Sequence, residues 1–188
     1  LARMKPEARS KAKVLEIKDV PAKFVGMIPM GFNWPLSSSR TEILIGGKAL
    51  TPARWPKGRE EGIDKGLEMG KKRRKNDTTP VKMPCIGYDN GTVSTFAGNE
   101  GLFIWGYFGN GYSAETLPVA VIDKTARTMT MGATAGYGFH ENTETDKCRR
   151  WALLNVLEEM TEPGECVVDT SAGRVYFIEP EGGLGEIE

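Results

Sequence analysis

Strand-like runs separated by short polar or glycine-containing turns constrain this chain most. The segment "TEILIGGKALTPARW" places Gly46 and Gly47 between two short runs, which is typical of a two-residue β-hairpin. The segment "LPVAVIDKTARTMTMGA" joins a Val and Ile run to a Thr and Met run through "DKTAR". The segment "ECVVDTSAGRVYFIEP" repeats that arrangement around Gly173. Three hairpins therefore predict a chain built mainly from antiparallel strands.

Two further segments favour strands, and two favour short helices. "KAKVLEIKD" alternates, with Ala12 and Val14 on one side, and "GLFIWGYFG" is aromatic and β-prone. "WALLNVLEEM" has helical spacing and predicts one helix that the following Pro163 and Gly164 stop, while "DKGLEMGKKRRK" forms a short helix at best. With 23 Gly and 11 Pro in 188 residues, we predict an all-β fold. We expect one domain over 1–188, a β-sandwich or distorted β-barrel with one or two short helices.

Charge and hydropathy argue against two classes of partner. The 25 basic residues cancel the 25 acidic ones, so no overall field favours nucleic acid or a membrane surface. No apolar run approaches the roughly 20 residues that span a bilayer. We therefore expect no nucleic-acid partner and no membrane. The local basic run from Lys71 to Lys75 is interpreted as a solvated loop, with polyanion or nuclear-import binding as the alternative.

Cysteine and histidine give no metal or catalytic motif. Cys85, Cys148 and Cys166 are widely spaced and form no CxxC pair, so we predict neither a metal site nor another cofactor. The odd count favours three buried or half-buried thiols over one disulfide with one free thiol. His140 lies in "GYGFHENTETDKC", where no motif supplies a nucleophile and an orienting carboxylate. We interpret it as a loop histidine.

Carboxylates are the next candidates for chemistry, because glycosidases use two of them about 5 to 10 Å apart. Five acids lie close together in sequence: Glu158, Glu159, Glu162, Glu165 and Asp169. Acids near turns are usually solvated or bonded to backbone amides. We expect Glu165, between a Pro-Gly turn and an apolar strand, to bond backbone amides of that turn.

Aromatic rings are candidates for contact with a sugar, because their faces are apolar while their edges stay wet. The chain offers Trp55, Trp105, Tyr107, Phe108 and Tyr112. We expect Trp105 and Tyr107 to share one face of a central strand, where we favour packing in the core, with sugar contact as the alternative. Tyr112, between two glycine-rich turns, is expected to be exposed. The predicted carbohydrate-binding residues are Trp55, Tyr107 and Tyr112.

Several of these segments resemble parts of known enzymes. "ILIGGKALTPARWP" is similar to the segment that introduces the inserted domain of certain right-handed parallel β-helix glycosidases, and "NVLEEMTEPGECVVDTSAGRVYFIEP" is similar to the segment that ends it. Between them, "GLFIWGYFGNGYSAETLPVAVIDKTARTMTM" is similar to the aromatic strand and Ile-Asp strand pair of that insertion. From about Ala12 to Pro180 the chain thus resembles glycoside hydrolase family 141 and the related family 120 β-xylosidases.

Two positions depart from the family pattern. Cys166 stands where an aromatic residue usually follows "PGE", and the loop "GNGYSAE" lacks the tryptophan often found there. The basic run has no counterpart, and we treat it as a local insertion. These departures affect the loops that would contact a ligand more than they affect the fold.

The resemblance implies a β-sandwich-like accessory domain that interrupts a β-helix, with 1–20 and 172–188 as the linking segments. The catalytic carboxylates would lie on coils outside this chain, in agreement with the absence of a repeat of about 20 to 30 residues. The partners would be the parent β-helix and an oligosaccharide or polysaccharide of plant type, and the location secreted or periplasmic. An inserted domain also requires that the strands near Val14 and Val175 be neighbours.

Two other functions remain open from the sequence. The chain is alternatively a free-standing carbohydrate-binding module that presents Trp55, Tyr107 or Tyr112 as a stacking platform. The second alternative is a small complete hydrolase that uses carboxylates between Glu158 and Asp169. Glycan binding by the chain alone would favour the first of these, and turnover would favour the second.

Overall fold

The fold is known from a computed structural model that describes residues 1–19, 30–31, 43–71, 80–97 and 101–183. Strands account for 38% of the chain and helical turns for 9%, which confirms the predicted all-β, sandwich-like fold class. The chain divides into two compact units. Unit 1 comprises the described residues within 1–27, 38–55 and 154–188, and unit 2 comprises those within 28–37 and 56–153. That 1–188 acts as one domain stays a prediction.

The strands are short, and β11 alone among the described strands reaches ten residues. In chain order they are β1 (Ala12–Glu16), β2 (Met30–Gly31), β3 (Leu44–Ile45), β4 (Lys48–Ala49), β5 (Thr51–Pro52), β6 (Arg54–Trp55), β7 (Glu61–Gly62), β8 (Gly66–Glu68), β9 (Cys85–Gly87), β10 (Phe103–Tyr107), β11 (Ala114–Asp123), β12 (Thr128–Met131), β13 (Arg150–Leu154), β14 (Glu165–Asp169) and β15 (Arg174–Ile178). The helical elements in the described residues are one α-helix, α1 (Pro6–Arg9), and 3₁₀ turns at Ile17–Asp19, Val93–Thr95 and Leu157–Glu159.

Unit 1 is built around a four-stranded sheet in the order β1-β15-β14-β5. Alternate residues of β14 and β15 point to opposite faces, and both faces carry apolar side chains. One cluster contains Met4, Ala8, Ala53, Leu157, Met160, Val167, Tyr176 and Ile178. The other contains Leu50, Cys166, Val168, Val175 and Phe177. The sheet is therefore the centre of unit 1, with α1 and the turn at Leu157–Glu159 covering one face.

The outer strand β1 pairs antiparallel with β15. Val14 lies opposite Tyr176, and Leu15 lies opposite Val175. An ion pair between Arg174 and Glu16, 2.7 Å apart, lies at one end of the ladder. The prediction that the strands near Val14 and Val175 are neighbours is confirmed.

Unit 2 contains a larger sheet in the order β13-β10-β11-β12-β9-β8, with β2 beside β11 and β7 beside β13. Its core is rich in large side chains that are almost inaccessible to solvent, such as Ile63, Ile86, Ile104, Leu117, Met129 and Met131. The rings of Phe108 and Phe139 stack in this core, with centroids 4.0 Å apart. Phe108 is therefore a core residue of unit 2.

All three predicted hairpins are present. Gly46 and Gly47 have φ values of 56° and 73° and join β3 to β4, as a two-residue turn requires. The hairpins β11-β12 and β14-β15 share a second turn chemistry, in which an Asp Oδ1 accepts hydrogen bonds from the turn. Asp123 accepts from the backbone amides of Thr125 and Ala126. Asp169 accepts from the Ala172 amide and the Ser171 hydroxyl.

The helix predicted over "WALLNVLEEM" is wrong, and the described residues 64–71 of "DKGLEMGKKRRK" contain no helix. "WALLNVLEEM" forms most of strand β13 and a single 3₁₀ turn, and "DKGLEMGKKRRK" contributes strand β8. Trp151, Ala152 and Leu153 are all buried, as in a strand covered on both faces. Asn155 then has a φ of 67°, which a right-handed helix cannot include. Helical spacing of the leucines did not outweigh these two requirements.

Asn155 explains how the chain turns after β13. Its buried side-chain amide donates to the Val168 carbonyl at 2.8 Å and accepts from the Val168 amide at 2.7 Å. The side chain thus mimics a neighbouring strand for one residue of β14. Asn also tolerates the left-handed backbone conformation better than most residues do. The position needs both properties.

Replacing Asn155 with Ala should lower the free energy of unfolding by about 3 kcal/mol or more, because two buried backbone groups of Val168 lose their partner. Asn155→Gly should lower the free energy of unfolding by about 1 kcal/mol less than Asn155→Ala does. Both variants lose the hydrogen bonds, but Gly adopts the left-handed conformation without strain. Urea unfolding measures both values.

The matched control is Asn110→Ala, which removes the same amide from a half-buried loop position. We expect it to change the free energy of unfolding by less than about 1 kcal/mol. Equal effects of the changes at positions 155 and 110 would contradict the role given to Asn155.

Candidate functional site

An aromatic stripe lies along one face of β10. Trp105 and Tyr107 are two residues apart, half-buried, and meet edge to face with ring centroids 5.8 Å apart. The guanidinium carbon of the exposed Arg150 lies 5.0 Å from the centroid of the Tyr107 ring. The prediction that Trp105 and Tyr107 share one face of a central strand is confirmed. The arrangement leaves both rings partly accessible beside a positive charge.

Gly106 allows Arg150 to lie beside this stripe. A Cβ atom at position 106 would be 2.1 Å from the Arg150 carbonyl oxygen and 2.8 Å from the Trp151 Cα. Such distances are far below van der Waals contact, so any other residue here would force β13 away from β10. The guanidinium position above Tyr107 therefore depends on a glycine on the opposite face of β10.

Tyr112 projects from the loop that joins β10 to β11. Its side chain is 73% exposed, which confirms the prediction that it faces solvent. Its ring meets the half-buried ring of Tyr137 edge to face, with centroids 6.2 Å apart. A hydrogen bond between the two phenols raises the pKa of Tyr137 above its ordinary value, with burial adding to the shift. The exposed ring thus has a second aromatic ring as its support.

The loop is held close to the Tyr137 segment by glycine. A Cβ atom at Gly109 would be 2.5 Å from the Tyr137 Cβ, and one at Gly111 would be 3.0 Å from the Cys148 Cβ. Arg149 adds a hydrogen bond from its Nε to the Gly109 carbonyl at 3.3 Å. The close approach that these glycines permit and the hydrogen bond from Arg149 position the loop that carries Tyr112.

Trp55 occupies a different setting. It lies in unit 1 and is only 6% exposed. A sugar ring stacks on an aromatic face that solvent can reach, so Trp55 has little to offer in this conformation. Of the three predicted carbohydrate-binding residues, Tyr107 and Tyr112 keep rings that solvent can reach, and both lie in unit 2.

Cys148 does not have the properties of a nucleophile. A hydrogen bond to the Asp146 carboxylate raises the pKa of the Cys148 thiol, and the same contact lowers the pKa of Asp146. Asp146 also forms an ion pair with Arg149 at 2.7 Å. Because the thiolate is the reactive form of cysteine, Cys148 is held in its unreactive state.

The remaining cysteines and His140 are also accounted for structurally. The three cysteines are free thiols, two half-buried and one buried, in agreement with the expectation from their odd number. Burial raises the pKa of Cys166 to about 12. His140 lies in a loop, as predicted, and its Nε2 is 3.0 Å from the Tyr137 carbonyl oxygen.

The acids between 158 and 169 have structural partners. Glu158 pairs with Arg3 and Glu159 pairs with Lys5, each at 2.9 Å. The Glu165 Oε2 accepts hydrogen bonds from the backbone amides of residues 161 and 162, both at 2.9 Å. The expected role of Glu165 in its turn is confirmed. Asp169 bonds its own turn in the same way, as described above. These acids therefore stabilise unit 1.

Three residues around the tyrosines, Glu115, Tyr137 and Arg150, were not among the predicted site residues. Glu115 is buried, and both its carboxylate oxygens accept from the Gly136 amide, at 3.1 and 2.9 Å. Its position two residues before the apolar Leu117, on the same face of β11, was a usable signal for burial. Tyr137 and Arg150 had no such signal, because only the pairing of distant segments brings them to Tyr112 and Tyr107.

Comparison of the chain with protein-family models, with curated proteins and with solved structures found no match. The resemblance to β-helix glycoside hydrolases therefore stays a prediction. Residues 72–75 of the basic run lie outside the described residues, and Lys71 is exposed. In the part of the chain that the structure describes, no group of three His, Cys, Asp or Glu side chains could hold a metal ion. No helix found there has the length and apolar character needed to cross a bilayer.

The Asp146 contact predicts how Cys148 reacts with iodoacetamide as pH changes. A raised pKa means that alkylation should accelerate only above the pH range of an ordinary thiol. Asp146→Asn removes the negative charge that stabilises the protonated thiol, so the pH–rate curve should move to lower pH. Mass spectrometry of the Cys148 peptide measures the rate without interference from the other cysteines.

The control variant is Glu144→Gln, which removes an equal charge from an exposed position in the same loop. It should leave the pH–rate curve unchanged. Superimposable curves for the wild type and Asp146→Asn would contradict the contact.

Proposed function

We propose that this chain is a non-catalytic, carbohydrate-facing accessory domain of a secreted or periplasmic β-helix enzyme that acts on plant-type polysaccharides. In this proposal the chain interrupts the β-helix, and its loops help to shape the substrate cleft of the parent. The observation that carries the proposal is the antiparallel pairing of β1 with β15, in which Ala12 lies opposite Ile178. A domain inserted into another needs incoming and outgoing strands that lie side by side.

The ion pairs and hydrogen bonds of the acidic residues between 158 and 169 support a non-catalytic role. A glycosidase requires an acid and a base or nucleophile that are free to face the scissile bond. Glu158 and Glu159 are engaged by basic side chains, and Glu165 is buried in a turn. The alternative of a small complete hydrolase would have to release at least two of these carboxylates from their partners.

A free-standing carbohydrate-binding module is the second candidate function. The observation that favours it is the exposure of Tyr112, which presents an aromatic face on a loop fixed by Gly109 and Gly111. Both candidate functions place a sugar on unit 2. They differ in whether the chain works within a larger enzyme or on its own.

The insertion is tested by grafting the whole chain into a surface loop of a fluorescent host protein. We expect the host to stay fluorescent and the graft to unfold at the same urea midpoint as the free chain, because neighbouring entry and exit strands do not stretch the host loop. The same chain fused to the host's terminus is the control. Loss of host fluorescence in the graft but not in the terminal fusion would contradict the proposal.

Sugar contact is tested by titrating the chain with xylan-type, fucosylated and pectic oligosaccharides. Binding of at least one class is expected, with Tyr112→Ala weakening it about three- to tenfold through loss of stacking. Leu44→Ala, which removes an exposed apolar side chain from unit 1, should have no effect.

The same samples are assayed with aryl xylosides and aryl fucosides. No turnover is expected from the chain alone. Turnover that disappears in Glu165→Gln but persists in Glu162→Gln would replace the proposal by the small-hydrolase alternative. Absence of binding to every glycan would contradict carbohydrate contact by either route.

A further inference from the structure

Two consecutive arginines of unit 2 have very different surroundings. Arg149 pairs with Asp146, bonds the Gly109 carbonyl, and its side chain is only 15% exposed. Arg150 is exposed, and its guanidinium lies over the Tyr107 ring. Across the described residues, no carboxylate pairs with Arg150. Arg149 therefore has a structural role, while the charge of Arg150 is exposed to solvent.

The Arg150 side chain is nevertheless held in place. Its guanidinium lies over the Tyr107 ring, and Gly106 fixes the backbone of residue 150 against β10. A guanidinium that stacks on a ring keeps its N–H donors around its edge, where they can bond a planar acceptor. Such a group has already lost part of the side-chain entropy that anion binding would otherwise cost. It is a preorganised donor rather than a freely moving surface charge.

We infer that Arg150 receives the carboxylate of an acidic sugar, so that the glycan bound by this surface contains uronic acid residues. This inference rests on the proposed function and narrows its substrate class. A carboxylate matches the guanidinium edge through two parallel hydrogen bonds. The half-buried Trp105 next to Tyr107 offers an apolar surface to the sugar ring that bears the carboxylate.

Nucleic acid is the other polyanion that an arginine can bind, but the surface described here favours it less. Phosphate-backbone binding usually uses many basic side chains, since each neutralised phosphate adds to the affinity. Here the neighbouring Arg149 is engaged by Asp146, and the chain has no net charge. A single fixed guanidinium beside aromatic rings fits one carboxylate per sugar better than it fits a continuous row of phosphates.

The test compares hexagalacturonate with its methyl ester, which has the same sugar backbone but carries uncharged methyl-ester groups in place of the carboxylates. Calorimetric titration of the wild-type chain should give about tenfold tighter binding of the free acid. Arg150→Gln should remove this tenfold preference, so that the free acid and the ester bind with about equal affinity. Arg150→Lys, which keeps the charge without the planar fork, should retain part of the preference.

Arg127→Gln is the matched control, because it removes the charge of another exposed arginine of unit 2. It should keep the full preference for the free acid. Urea unfolding of every variant shows that each is folded, and retention by Arg150→Lys separates a lost guanidinium contact from a damaged sheet.

Three results would overturn the inference. Equal affinity for acid and ester, with no effect of Arg150→Gln, would leave sugar binding intact but remove the role of Arg150. Tighter binding of a six-residue oligothymidylate than of hexagalacturonate, also lost in Arg150→Gln, would show a general anion site. Failure to bind any glycan, including the neutral xylan oligosaccharides, would overturn the proposed function together with this inference.

Discussion

Satisfaction of buried backbone groups is the constraint on which both units depend. Strands of two to five residues end often, and each end leaves amide and carbonyl groups that need partners once they are covered. Polar side chains supply them here. Asn155 serves both groups of Val168, and Asn142 does the same for Arg149, with bonds of 2.8 and 3.0 Å. An unmet group of this kind costs about as much as several apolar contacts contribute, so these side chains decide where the short strands can lie.

The parts of the fold that were predictable are those decided by neighbouring residues. The Gly46-Gly47 turn and the Asp-led turns at Asp123 and Asp169 carry their own chemistry, so the hairpins could be recognised from a few letters. The segment after Trp151 could not. Its leucines fit a helix, and only the contact with Val168 of β14, 13 residues further along the chain, makes the left-handed conformation of Asn155 favourable.

In the candidate site too, the features that were predictable are those decided by neighbouring residues. Exposure of Tyr112 followed from the glycines around it, and the turn role of Glu165 followed from the adjoining Pro-Gly pair. Burial of Trp55 and the position of Arg150 over Tyr107 depend on segments brought together by pairing between strands. The single-residue signal for the latter was Gly106, whose meaning becomes visible only when β13 is placed beside β10. A glycine in the middle of an aromatic strand is therefore a useful indication of close backbone approach.

The pairing of β1 with β15 also has a consequence for synthesis of the chain. Lys13 of β1 forms an ion pair with Glu179, which directly follows β15, and the two residues are 166 positions apart in the chain. At ribosomal rates of about 5 to 20 residues per second, β1 waits roughly 10 to 30 s before its partner has been made. Unit 2, whose segments lie between them, can fold during that interval. Strand β1 thus belongs to the unit that is completed after unit 2, and its edge must stay soluble throughout the delay.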